Sequence, residues 1–294
     1  MTREHHILPF VATLAGVALF SLMDALMKGA TIAIGAYSAL LLRSAVGFAL
    51  ITPVWLATRK ERPSREAKRL HVVRGIVAAA MAFTFFWGIA RIPLAEAIAL
   101  AFTAPLIALY LAAVLLGERI GKRAAYASLM GLAGVVVIAA GRMSLPSADP
   151  EAAKGIASVL LSSILYAWNL ILQRQQALVA RPAEIATWQN GVTGGALLLL
   201  APFLFVTPGR DIWLGISGAA ALWVGASMLC AWAYARAEAQ VLVPLEYSGF
   251  LWAALFGWLF FAEPLRWPLV VGACLIVIAC WIAAPRKRPE QTSA

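Results

Sequence analysis

Charge is scarce in this chain. Only 13% of its 294 residues are Asp, Glu, Lys or Arg, whereas 62% are hydrophobic; soluble domains average about 25% charged and about 45–50% apolar. A soluble core cannot absorb so much apolar surface, which excludes an ordinary globular enzyme or binding module. Histidine and cysteine are scarcer still, at three each. His5, His6 and His71 lie outside the interiors of the apolar runs and form no HExxH pair, and no nucleophile elbow occurs. Zinc-dependent and nucleophilic hydrolysis therefore lack their constellations. Cys230, Cys274 and Cys280 sit inside apolar runs without CxxC spacing, and read as small buried hydrophobes with neither a disulfide nor a metal. Residues 117–122 spell GERIGK, one residue too short for a phosphate-binding loop. No enzyme activity, cofactor or metal is expected.

What the chain has in abundance is apolar runs of about 20 residues, each long enough to cross a bilayer as helix. We read ten spans, near 7–29, 36–58, 71–90, 94–116, 123–141, 154–173, 185–207, 213–235, 240–262 and 267–284. Connections are short except 59–70, which is basic, and 142–153, rich in Pro, Ser, Asp and Ala. The expected fold is all-α and polytopic: a first five-helix repeat over 1–141, an extracytoplasmic linker over 142–153, and a second repeat over 154–294 with a short basic tail. The first run is as long as a full span and no cleavage pattern follows it, so it is not read as a removable signal.

The net charge of +10 belongs to loops facing the cytoplasm rather than to nucleic-acid binding. With both termini inside, sixteen lysines and arginines fall on the inner side, six on the outer, and Arg43 and Arg74 inside spans. That bias selects an even number of spans, N-in and C-in. Five spans per half then force the second half to enter the membrane from the opposite side. A shift of 145 residues lays Trp87 on Trp232, Arg91 on Arg236 and Glu118 on Glu263 without a gap. Inverted repeats of this kind mark secondary transporters, whose sites lie near the midplane at interrupted helices. Pro105 in span four and Pro244 in span nine are such interruptions, since each frees a carbonyl that lipid cannot satisfy.

Polar residues in the spans recur at helical spacing. Ser162, Tyr166, Asn169, Gln173 and Gln176 form one stripe of span six; Ser21, Asp24 and Lys28 match positions 166, 169 and 173 at the same shift; Thr84, Trp87 and Arg91 line span three. Such stripes face the bundle interior or a wet cavity, or bond helix to helix. Asp24 and Arg43 lie toward the outer face, with Asp24 four residues before Lys28, as a structural ion pair or as a contact to substrate charge. Glu246, beside Tyr247 and Pro244, either lines the cavity or bonds freed backbone. Glu118 and Glu263 end equivalent helices, where the macrodipole disfavours them; neighbouring cations such as Arg266 could compensate, or the two could act as latches, with Arg91 and Arg236 serving likewise. Trp168 adjoins Asn169 and Trp87 belongs to a stripe, so both are candidate aromatic walls for a small amphipathic ligand.

Two inverted five-span units, Gly117-Glu118-Arg119 closing span four, Glu263-Pro264 closing span nine, and Pro244-Leu245-Glu246-Tyr247 within it resemble the EamA type of the drug/metabolite transporter superfamily. The resemblance covers essentially the whole chain and is strongest to bacterial aromatic amino acid exporters. It implies an inner-membrane exporter of small metabolites, with spans 1, 3, 4, 6, 8 and 9 lining the cavity. Ala262 departs from the repeat, standing where the first half has Gly117. The expected activity is alternating-access export of small amphipathic solutes, amino acids first; the alternative is export of lipophilic cations through cation–π contacts. For an amino acid, Glu246 or Asp24 would meet the ammonium, Asn169, Gln173 and Lys28 the carboxylate, and Trp87, Trp168 and Tyr166 the side chain. The partners expected are a small-molecule substrate and the lipid bilayer, with no nucleic acid; a monomer is compatible with this reading.

Overall fold

The computed structural model describes residues 4–58, 63–116, 122–143, 150–234, 236, 242 and 245–283. Every regular element among these is helical. In chain order they are α1 (Glu4–Thr58), α2 (Arg65–Ile89), α3 (Leu94–Ala101), α4 (Ala104–Leu116), α5 (Lys122–Met143), α6 (Pro150–Val179), α7 (Pro182–Leu198), α8 (Ala201–Leu204), α9 (Arg210–Tyr234), α10 (Gly249–Phe261) and α11 (Trp267–Ala283). Leu8–Thr58, Arg65–Ile89, Pro150–Gln173 and Arg210–Ala233 are long and apolar enough to cross a membrane; Leu94–Ala108, Tyr126–Arg142, Gly249–Phe261 and Trp267–Ile282 are shorter apolar helices. This is a multi-pass helical membrane protein.

Local chemistry sets the breaks. α1 consists of two limbs, 4–34 and 36–58, divided at Gly35, whose φ of 81° and ψ of 154° lie where only glycine sits without strain. Between α3 and α4 the chain leaves the α-helical ladder at Phe102 and Thr103, and Pro105 lies in the first turn of α4. The carbonyls exposed by this break find partners: Phe102 O accepts from Cys280 Sγ at 3.1 Å, and Leu100 O accepts from Thr103 Oγ1 at 2.7 Å and Ser163 Oγ at 3.5 Å. Cys280 is thus buried as expected and also donates to freed backbone, whereas Cys230 is half-buried and Cys274 is exposed, against the expectation for all three. α10 ends on Ala262 in the left-handed region, φ 52° and ψ 33°. The residue that departs from glycine in the repeat carries the conformation that favours glycine. α6 begins at Pro150 rather than 154, so the end of the expected linker is helical.

Packing relates the two halves. The first limb of α1 packs on α9 and α10, while α6 packs on α2, α3 and α4; under the 145-residue shift these are equivalent contacts. α5 packs on α11, the fifth stretch of each half. There the backbones approach through small residues, since a Cβ on Gly134 or on Gly272 would stand 2.7 Å from the other's carbonyl oxygen. Close approach of this kind is how helices associate where lipid offers no hydrophobic contrast.

Candidate functional site

Glu263 sits at the centre of one end of the bundle. Its Oε1 accepts from Lys28 Nζ at 2.5 Å and its Oε2 accepts from the Leu94 backbone N–H at 2.7 Å. Lys28 also donates to the Ile92 carbonyl at 2.6 Å. One carboxylate therefore ties the first limb of α1, the turn before α3 and the end of α10 together. The carboxylate caps α3 from another element, a position the helix dipole favours. Gly257 leaves the space, because a Cβ there would lie 2.5 Å from Glu263 Oε2. The side chains of Lys28 and Glu263 are 5% and 14% exposed. The expected Asp24–Lys28 pair and the Arg266 partner for Glu263 are not what forms: the chain reversals bring Lys28 to Glu263 instead. Glu96, 4% exposed, lies in the fields of Arg142, Glu263, Lys28 and Arg266, and its Oε2 has no hydrogen-bond partner among the described residues.

At the other end the span-six stripe is turned on a cation. Arg74 of α2 donates through Nε to Asn169 Oδ1 at 3.1 Å, through Nη2 to Gln173 Oε1 at 3.3 Å, and through Nη1 to Gln176 Oε1. Gln176 in turn bonds His71 Nδ1, and His71 Nε2 meets Glu184 Oε1 at 2.9 Å. The His71 ring stacks on Trp188 at 5.2 Å. His71 is 1% exposed, buried where α2 meets α6 and α7. Three amide side chains spaced three and four apart present one row of oxygens, and the guanidinium fork needs several acceptors at once. Hence the Asn169 and Gln173 oxygens serve Arg74 before any substrate.

α6 shows two open faces. Ala157, Leu161, Ile164, Trp168 and Gln175 are exposed along one stripe, and Tyr166 and Gln173 are exposed along the opposite one, flanked by buried Ser162 and Asn169 on one side and Val159, Ser163 and Ala167 on the other. The first stripe, mostly apolar, faces outward. The second opens between the packed helices. Trp168, 44% exposed beside Leu161 at 48% and Ile164 at 51%, lies on the first stripe, turned away from Tyr166 because each helical position turns by about 100°. Tyr166 lies in the fields of Glu246 and Arg74, and Cys230 also senses Glu246. Tyr247 meets the Phe102 ring edge-on at 5.1 Å, and Ser21 Oγ donates to Gly249 O at 3.4 Å.

Asp24 and Arg43 stand on the two limbs of α1, each in the other's electrostatic field. The Arg43 guanidinium lies 5.5 Å from the Phe86 ring centre and 5.9 Å from that of Trp223. The remaining expected residues have local duties. Thr84 Oγ1 bonds Ala80 O and Met81 O of its own helix. Arg91 stacks on Trp87 at 3.3 Å and Arg236 on Trp232 at 4.3 Å, and each arginine donates Nη1 to that tryptophan's carbonyl, so the repeated pair repeats its contacts. Arg91 also donates to Glu151 at 2.9 Å; Lys154 and then Arg91, both bonded to Glu151, hold its carboxyl below the usual range. Pro244 and Glu118 lie outside the described residues. Arg74, His71, Glu184, Phe86 and Trp223 were not singled out by spacing; Arg74, a lone cation inside an apolar run, was the one that carried a signal. A cleft of about 460 Å³ between α2 and α6 is lined by Glu66, Arg69, Leu70, Val73, Gln175, Leu178 and Val179 and includes none of the expected site residues.

The sequence profile of the EamA-like transporter family matches this chain over residues 8–140 and again over 153–284. The pseudopaline exporter CntI of Pseudomonas aeruginosa is 31% identical, with 92% of this chain and 93% of that protein covered. The riboflavin transporter of Vibrio cholerae is 27% identical over 95% of this chain and 94% of that one, and the riboflavin transporter of Rhizobium johnstonii is 28% identical over 90% and 87%. A solved crystal structure at 22% identity superposes with a TM-score of 0.60, covering 93% of this chain and 96% of its own; that likeness speaks for the fold.

Proposed function

We propose, for a chain that belongs to the EamA-like transporter family and so is a membrane transporter rather than an enzyme, that it exports small amphipathic metabolites by alternating access, amino acids including aromatic ones first. In this reading ten spans form two inverted five-helix repeats with both termini in the cytoplasm of a bacterium, residues 142–153 link the halves outside, and the protein sits in the inner membrane. The double match of the family profile, the equivalent helix contacts of the two halves and the repeated Trp–Arg pairs support the duplication.

One observation carries the transport reading. In this reading the Lys28–Glu263 contact, which ties α1, α3 and the end of α10 together, closes one end of the bundle, while Tyr166 and Gln173 are exposed between helices and Tyr166 lies in the field of Glu246. A path held shut on one side and lined by polar groups on the other is what alternating access needs. Arg43 beside Asp24 speaks against lipophilic cations, since a purely cationic ligand would meet a like charge.

The test is transport of labelled tryptophan, methionine and other amino acids into inverted vesicles, with and without a pH gradient. We expect amino acids to accumulate and to compete with each other. Movement of an ammonium dye with no movement of any amino acid would overturn this reading.

A further inference from the structure

We propose that Asp24 and Arg43 form a recognition pair for a zwitterionic head group, Asp24 taking a ligand ammonium and Arg43 a ligand carboxylate. This rests on the reading of the chain as a carrier of small amphipathic metabolites, and names the charge pattern that such a carrier accepts.

The first ground is that the pair is held apart. Asp24 and Arg43 sense each other's charge, yet no ion pair joins them among the described residues. Arg43 Nε is buried with no hydrogen-bond partner among those residues. A structural pair this far inside an apolar bundle would recover its desolvation through direct contact and full hydrogen bonding. Here the guanidinium instead lies near the Phe86 and Trp223 rings, and its Nε donor is left unused.

The second ground is exclusion. Of the other cations that the spacing placed in the spans, Lys28 is engaged by Glu263 and Ile92, and Arg74 by three amides. The carboxylate contacts expected of Lys28, Asn169 and Gln173 are therefore taken, whereas Arg43 Nε is unpartnered among the described residues. A carboxylate fits a guanidinium fork in a bidentate manner, and an ammonium fits a carboxylate. A ligand of one sign meets repulsion from one member of the pair; a ligand bearing both signs at short separation satisfies both. The partly exposed Trp223 ring then stands where the apolar part of such a ligand would pack.

The test uses the full-length protein in nanodiscs and three probes: labelled tryptophan, its methyl ester, which keeps the ammonium only, and its des-amino acid, which keeps the carboxylate only. We expect the parent to prefer tryptophan to either analogue by roughly 10- to 150-fold, as charged hydrogen bonds allow. Asp24→Asn should erase the preference over the des-amino acid, and Arg43→Gln the preference over the ester. Asp24→Glu and Arg43→Lys, which keep the charges, should retain most of the ranking and so separate lost recognition from lost folding. If the parent ranks the probes this way and the neutral variants keep the same ranking, the pair is not the recognition site while the carrier reading stands. If the parent binds none of the three, the amino acid reading and this inference fall together.

Discussion

Replacing Glu263 by Gln tests the latch most directly. The parent pair is nearly dry, with side chains 5% and 14% exposed, so solvent screens it little. Removing one member of a buried pair leaves the other charge uncompensated, at a cost of about 3–5 kcal/mol. The Leu94 N–H keeps an amide oxygen within reach, so that bond weakens rather than disappears. Only the latched state loses the interaction; the balance should therefore move toward the unlatched state by roughly two to three and a half orders of magnitude. Spin labels on Ile32→Cys and Leu265→Cys, both at exposed positions, would report it: the distance distribution across that end should lengthen in Glu263→Gln. The double change Lys28→Met with Glu263→Leu should restore the short distance, because an apolar pair of similar volume replaces a buried ion pair at little cost. The reasoning is refuted if Glu263→Gln leaves the distribution unchanged, or if the apolar double variant is as open as the single one.

Gly35→Ala should destabilise by about 1–3 kcal/mol, although no atom lies within 4 Å of the added Cβ, because the cost is the backbone conformation itself; thermal unfolding in detergent measures it. Ala262→Gly should act in the opposite direction, gaining up to about 1 kcal/mol by relieving the left-handed strain, read in the same assay. Arg74→Gln should lower stability by about 1–3 kcal/mol per buried acceptor left unpaired, whereas Lys in its place, lacking the fork, should recover part of the loss only. Trp168→Phe should leave tryptophan transport within about twofold of the parent, since a stripe facing outward needs apolar bulk alone, while Tyr166→Ala should reduce transport at least tenfold.

Much of the fold was legible without coordinates. Apolar runs of spanning length marked the helices, Pro105 marked a break, and the shift that superposes Trp87–Arg91 on Trp232–Arg236 anticipated two local clusters with the same contacts. These features depend on periodicity and on backbone chemistry, which a sequence carries in full. The polar stripe along span six likewise marked the face on which Asn169, Gln173 and Gln176 meet Arg74.

What the linear chain could not decide is which charges meet. Spacing offered Asp24 to Lys28 and Arg266 to Glu263, because both are near in sequence; tertiary packing joined Lys28 to Glu263 across 235 positions and Arg74 to the Asn169 stripe across 95. In an apolar interior a charge must find its counter-charge or a full set of dipoles wherever the helices bring one, and proximity along the chain has no privilege there. Which limb of α1 faces which helix, and therefore that Arg43 lies beside Phe86 and Trp223 with Asp24 opposite, follows from three-dimensional packing alone.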